Sequence, residues 1–253
     1  HVWIVTVAPI YVDLWGTYVT TPEINDSQAT VNVATRLRNS LQEKAEVKVC
    51  QYILDADDKT VAYADCLMTV PADTTAESSL QLTLKAPRRW SIDDPYLYTV
   101  RTQIIADGQT IDSYDSPLGI RTFRFDAEKG FFLNEKPVKI KGVCMHHDLG
   151  CLGAAVNERA IERQLEMLKA MGCNAYRCSH NPPAPEVLDL CDRMGLIVMD
   201  ESFDMWRKRK TTYDYSRFFN EWYERDLTDL VMRDRNHPSI FIWSLGNEVL
   251  EQW

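Results

Sequence analysis

The stretch Arg233–Val249, RDRNHPSIFIWSLGNEV, decides how the second half of the chain is read. Its centre, IFIWS (240–244), is a short apolar run set off by His237-Pro238 before it and Gly246 after it. Such a run reads as a strand buried on both faces, as in a parallel sheet. Phe241 and Trp243 are expected on one face, and Ile240, Ile242 and Ser244 on the other. His237-Pro238 is expected to end the preceding helix and do nothing more. The run closes on Asn247-Glu248, where an acidic side chain either caps a strand in water or does chemistry.

Three similar runs lie upstream: VKIKGV from Val138, AYRCS from Ala175 and LIVMD from Leu196. Helical patterns separate them. Asn157 caps the first, which carries Ile161, Leu165 and Leu168 and stops at Gly172. The second starts near Pro185, carries Val187, Leu188, Cys191 and Met194, and ends at Gly195. A longer third helix holds Phe218, Trp222, Leu227 and Leu230. Alternating strands and helices mean a parallel sheet covered on both sides, either half of an eight-stranded barrel or a small open sheet. Polar residues follow every strand: His146-His147-Asp148, then Arg177, Ser179, His180 and Asn181, then Asp200-Glu201, then Asn247-Glu248. Collected at strand C-terminal ends, they favour a barrel.

The region before this behaves differently. From Thr30 to about Phe125 apolar and polar residues alternate, as in Val31, Val33, Thr35 and Leu37, in Leu80, Leu82 and Leu84, and in Tyr98, Val100, Thr102 and Ile104. Period two with turn-forming pieces such as Asp55–Lys59 and Asp107-Gly108 predicts an antiparallel β-sandwich. Trp90 and Tyr98 belong to its core. The alternation in HVWIVTV, before Gly16, reads as the last strand of another domain. FFLNEKPVKI reads as a hairpin turning at Asn134-Glu135.

Composition narrows the function. The 253 residues carry a net charge of −9, which disfavours nucleic acid and anionic membranes as partners. No apolar run approaches the ~18 residues of a membrane span, and nothing at the start reads as a signal peptide. The seven cysteines contain no Cys-x-x-Cys pair, so buried free thiols are expected.

RDRNHPSIFIWSLGNE and NAYRCSHNPP together resemble the two signature stretches of glycoside hydrolase family 2, which contains β-galactosidases and β-glucuronidases. HVWIVTVAPIYVDLWGTYVTTPEI and RRWSIDDPYLYTV resemble the edge and the immunoglobulin-like middle domain of the same family. The resemblance implies a multi-domain β plus α/β chain: residues 1–16 as the last strand of a truncated jelly roll, 17–125 as an immunoglobulin-like sandwich, and 126–253 as the first half of a (β/α)8 TIM barrel. It implies a retaining β-glycosidase, most like a β-galactosidase. The alternatives are a β-glucuronidase, another family member or a non-catalytic carbohydrate-binding module. By matching positions, Glu248 is the general acid/base and Asn247 bonds the sugar 2-hydroxyl. Arg177 lies behind the carboxylates, and His146 and His180 line the sugar pocket. The nucleophile belongs to a seventh strand that these residues do not include, so this piece alone is expected to be inactive.

Where magnesium-using members carry Glu and His, this chain reads Asp204-Met205-Trp206-Arg207, so neither metal nor cofactor is expected. Asp204 and Trp206 are expected to shape the pocket, one accepting hydroxyl bonds and the other stacking on the ring. Glu201 is expected beside Glu248, lending it a like charge, or else paired with Arg177. A metal cluster of His146, His147 and His180 is the alternative chemistry, but adjacent histidines on a strand point apart. The RKRK run at 207–210 reads as a solvated basic loop. Open sheet edges predict self-association.

Overall fold

The computed structural model describes residues 2 and 4–251. They form two compact units, one ending at Trp90 and resuming over Tyr96–Arg121, the other made of Ser91–Pro95 and everything from Thr122.

The first unit is the predicted sandwich. Its strands are β1 (Ile10–Ile24), β2 (Gln28–Asn39), β3 (Ala45–Leu54), β4 (Thr60–Val70), β5 (Thr74–Lys85), β6 (Tyr98–Ala106) and β7 (Gln109–Leu118). All pairings are antiparallel, in sheets ordered β1-β2-β5 and β4-β3-β6-β7. Inward residues follow the expected phase: Val31, Val33 and Leu37 of β2 are buried with Leu82, Leu84, Val100 and Ile104, and so are Trp90 and Tyr98. Each such side chain contributes on the order of 1.5–3 kcal/mol by leaving water. Thr35 keeps this phase and is also buried. Its hydroxyl accepts from Gln51 Nε2 at 2.8 Å, while Gln51 Oε1 accepts from Thr102 at 2.9 Å, so a polar link ties β2 to β3 and β6 through the core.

Two expected boundaries move. β1 runs straight through Gly16, and Ile10, Tyr11 and Val12 pair with Asn39, Arg38 and Leu37, so residues 10–16 are part of the sandwich. Val2 and Ile4–Ala8 lie in no strand, and the expected strand's His1 and Trp3 are outside the described residues. At the other end, β8 (Phe123–Asp126) pairs with β9 (Gly130–Leu133), which places residues 122–125 in the second unit.

That unit opens with a small sheet, β10-β9-β8, in which β10 is Lys136–Pro137. Asn134 and Glu135 make the expected two-residue turn with φ of 50° and 63°. A type I′ two-residue turn needs positive φ at both positions, and Glu135 adopts it despite its Cβ. Four parallel strands follow in sequence order: β11 (Gly142–His146), β12 (Ala175–Ser179), β13 (Ile197–Glu201) and β14 (Ile240–Ser244). Helices α1 (Glu158–Ala170), α2 (Pro185–Met194) and α3 (Ser216–Asp234) connect them. The first strand starts at Gly142, four residues later than expected, because Val138–Lys141 is irregular. Asn157 caps α1 by accepting from Ala160 N, and Gly195 ends α2 in the left-handed conformation.

Ile161, Leu165, Val187, Leu188 and Cys191 pack on Tyr176, Cys178, Val198 and Ile240 as one core between helices and sheet. In α3 Phe218 and Trp222 are exposed, and Phe219, Leu230 and Asp234 are the buried positions. Phe219 meets Phe203 at 5.3 Å and Tyr223 at 5.1 Å between ring centroids. Buried thiols are found at Cys50, Cys178 and Cys191 only; Cys144 and Cys151 are exposed. Among the described residues no helix is long and apolar enough to cross a membrane.

Candidate active site

The C-terminal ends of β11 to β14 converge on one buried carboxylate. Glu201, the last residue of β13, is fully buried. Its Oε2 accepts from Arg177 Nε at 3.0 Å, Arg177 Nη2 at 2.8 Å and Ser244 Oγ at 2.6 Å, and its Oε1 meets His180 Nδ1 at 2.7 Å. Of the two expectations for Glu201, pairing with Arg177 is the one the structure shows, and with His180 and Ser244 also bonded both oxygens are engaged by protein, which makes it a support. Arg177 reaches further, donating from Nη2 to Asn247 Oδ1 at 2.9 Å and from Nη1 to Cys144 Sγ at 3.6 Å. Burial works against its charge, but the bonds from Glu201 and Cys144 outweigh that and raise its pKa.

Strand β14 can present Ser244 to Glu201 because its alternation is interrupted. Ile240 pairs with Val198, yet Ile242, Trp243 and Ser244 pair with Met199, Asp200 and Glu201, so the register slips by one residue at Phe241. An extra residue in one strand reverses the faces beyond it. Ile240 and Ser244 therefore lie on opposite faces, contrary to simple period two. Phe241 packs instead against Phe131 at 5.3 Å.

The turn after β14 carries the acidic residue. Asn247 N donates to Phe203 O at 3.0 Å, and Asn247 Nδ2 donates to Asp204 Oδ1, also at 3.0 Å. Lys210 Nζ bonds the same Asp204 oxygen and the Asn247 carbonyl, each at 2.8 Å. Asp204 is thereby held below the usual carboxylate range: burial raises its pKa, and the bonds from Lys210 and Asn247 more than reverse this. Trp206 Nε1 donates to Leu245 O at 2.9 Å, so the indole braces the turn. Glu248 follows at φ +49° with its side chain 78% exposed and Oε2 at 3.5 Å from Lys210 Nζ. A non-glycine residue at positive φ costs roughly 1 kcal/mol or more, and such positions cluster at functional sites.

His146 and His180 meet edge to face at 5.1 Å. His147 turns elsewhere, its Nε2 lying 3.0 Å from Ala154 O. Among the described residues no three His, Cys, Asp or Glu side chains are grouped to hold a metal ion. Contacts link His146, Arg177, His180, Glu201, Asp204 and Asn247, with Glu248 reached through Lys210, while Trp206 bonds only the backbone of the same turn. The reading missed Ser244 and Lys210. The available signal was the long connection from Glu201 to Ser216, since structureless loops of that length in compact domains are usually functional.

A second buried network underlies the site. Asp200 is fully buried and its oxygens receive no donor. Desolvation first, and then the neighbouring Asp234, push its pKa up to about 8. Of these two neighbouring carboxyl groups Asp200 is the one that keeps its proton, because Asp234 is paired with Arg233 at 2.6 Å. His237 is more than a helix terminator. Its Nδ1 lies 2.7 Å from Asp192 Oδ2, and Ser239 N donates to Asp192 Oδ1 at 2.9 Å, joining α2 to the start of β14.

Comparison with known proteins agrees with this architecture. Residues 10–121 match the family model described as glycosyl hydrolases family 2, and residues 126–252 match its TIM barrel domain. The chain is 58% identical over its full length to β-galactosidase BoGH2A of Bacteroides ovatus, of which it spans 30%. It is 40% identical over 91% of its length to a putative β-glucuronidase of Formosa agariphila, covering 22% of that protein. A crystal structure of a family 2 member from Bacteroides cellulosilyticus superposes with a TM-score of 0.94 at 44% identity, over 97% of this chain and 32% of that one. The chain spans about a third or less of the length of these relatives. With a seven-stranded sandwich followed by four barrel strands and their helices, it belongs to glycosyl hydrolase family 2.

Proposed function

We propose that this chain forms part of a retaining β-glycosidase acting on terminal β-galactosides, with Glu248 as general acid/base. One observation carries the reading: Glu248 stands exposed at the tip of a barrel strand, next to an asparagine whose amide is fixed on both sides. Asn247 Oδ1 is taken by Arg177, and one Nδ2 hydrogen goes to Asp204. That orients the second Nδ2 hydrogen as a donor to a sugar hydroxyl. A bond to the 2-hydroxyl that tightens as charge develops on the ring stabilises the transition state more than the ground state.

In the first half-reaction the Glu248 carboxyl gives its proton to the glycosidic oxygen as that bond to the anomeric carbon breaks. A second carboxylate, about 5–5.5 Å away in retaining enzymes, attacks the same carbon. In the second half-reaction Glu248 takes a proton from water, which displaces the nucleophile. His146 and His180 supply a wall for the sugar, and Asp204 accepts from it.

The β-galactosidase relative at 58% identity supports galactose. The β-glucuronidase name of the 40% relative keeps glucuronic acid as the second reading. In the full-length protein, Glu248→Gln is expected to lower kcat on phenyl β-glycosides about 10²- to 10⁴-fold, the usual contribution of a general acid. Unchanged turnover would exclude Glu248 from the chemistry, and the ratio of kcat/KM for aryl β-galactoside and aryl β-glucuronide decides the sugar.

A further inference from the structure

The RKRK run looks like a solvated loop, and Arg207, Lys208 and Arg209 are exposed. Lys210 is not: it turns inward, with 22% of its side chain accessible. An ammonium has three hydrogens to donate. Here three oxygens surround it: Asp204 Oδ1 and Asn247 O at 2.8 Å, and Glu248 Oε2 at 3.5 Å. We propose that Lys210 is a positioning residue for Glu248, fixing the direction from which that carboxyl meets the glycosidic oxygen. The proposal rests on Glu248 being the acid/base.

The lysine suits this because it is fastened at both ends. Its backbone N–H donates to Asp214 Oδ2 at 2.6 Å, and Thr211 N donates to the same oxygen at 2.8 Å. Asp214 Oδ1 accepts from Ser216 N and Oγ in the first turn of α3. Bonds from Ser216 and from the Thr211 and Lys210 amides hold the Asp214 carboxyl at about 2, so it stays ionised through any working pH. Ordering a lysine costs up to ~2 kcal/mol of rotamer freedom, offset here by the charged bond to Asp204. Glu248, in contrast, has a side chain 78% exposed and in reach of few anchors. A mobile acid presents its proton correctly only part of the time, and misplacement by about 1 Å can cost up to 10²-fold.

The test separates orientation of an acid from general damage. Phenol needs a proton to leave, whereas dinitrophenolate leaves without one. In the full-length protein, Lys210→Met is expected to lower kcat/KM for the phenyl β-glycoside about tenfold or more. The dinitrophenyl β-glycoside shares any loss that comes through Asp204 and Asn247 but needs no proton, so it should fall severalfold less than the phenyl β-glycoside. Lys210→Gln carries the same comparison if the methionine variant does not fold. Equal losses on both substrates, or no loss on either, would overturn the proposal. Glu248→Gln serves as the reference. If it shows the leaving-group difference and the lysine variants do not, the lysine assignment alone fails. If Glu248→Gln itself shows no such difference, the acid/base reading fails.

Discussion

Arg177 distributes one guanidinium over Glu201, Asn247 and Cys144, and it does so from the middle of a strand. Its planar fork can reach Glu201 and Asn247 together; a lysine there keeps the charge as a single point and cannot serve both. Arg177→Lys is therefore expected to lower kcat about 10- to 100-fold while leaving Glu201 neutralised and the protein folded. Steady-state kinetics beside a thermal melt checks this, and a variant with wild-type kcat would show that Asn247 needs no orientation. The types of residue at the site were legible, because motif positions fix which side chains stand at strand ends. Their partners were not. A linear pattern could offer the Glu201–Arg177 pair only as an alternative, and it does not tell that His180 and Ser244 join it or that one basic residue of the four in RKRK turns inward, since those outcomes depend on neighbours dozens of residues away.

At the scale of elements, local chemistry was readable wherever one residue dictates geometry. Asn157 at the start of α1, Pro185 and Gly195 around α2, and Asn134-Glu135 in the hairpin all act as expected. The failures came where packing overrides periodicity. The slip at Phe241 lets Ser244 reach Glu201, and in α3 Phe219 rather than Phe218 is buried, against Phe203 and Tyr215. The turn after β14 is a similar fit between elements. A Cβ on Gly246 would lie 2.6 Å from Val249 Cγ2 and 2.9 Å from Trp206 Nε1. Neither can yield easily, since Val249 is buried and the indole is bonded to Leu245 O. Gly246→Ala is expected to cost about 1–3 kcal/mol as an overpacked site and to displace Asn247 and Glu248. A lowered melting temperature with a kcat loss larger than any change in KM would fit; full activity would mean that the turn tolerates the methyl group.

Across the whole molecule, the change from alternating to continuous apolar runs was enough to separate a sandwich from a parallel sheet, although it could not assign the boundary residues. Those are decided by which strand pairs with which, as β1 and β8 show. The buried charges then set how stability should follow pH. Asp200, with a folded value of about 8 against an ordinary one near 4, holds a proton in the folded state that the unfolded chain releases. The stability associated with that proton is present below about pH 4 and is lost as pH climbs toward 8, by at most about 1.4 kcal/mol per pH unit. His237 acts in the same direction. Burial opposes its charge, but the bond and charge of Asp192 raise its pKa, so its contribution is full below about pH 6.5 and is lost as pH rises through the raised value. Asp204 and Asp214, both lowered, limit the acid side, since their contributions vanish as pH falls below about 4. Stability should therefore peak on the acid side of neutrality and decline toward pH 8.5. Asp200→Asn keeps a donor toward Asp234 without a proton to lose, so it should raise the melting temperature at pH 8 and flatten the decline between pH 5 and 8. A variant whose melting temperature falls with pH as steeply as wild type would show that Asp200 is already ionised in the folded protein.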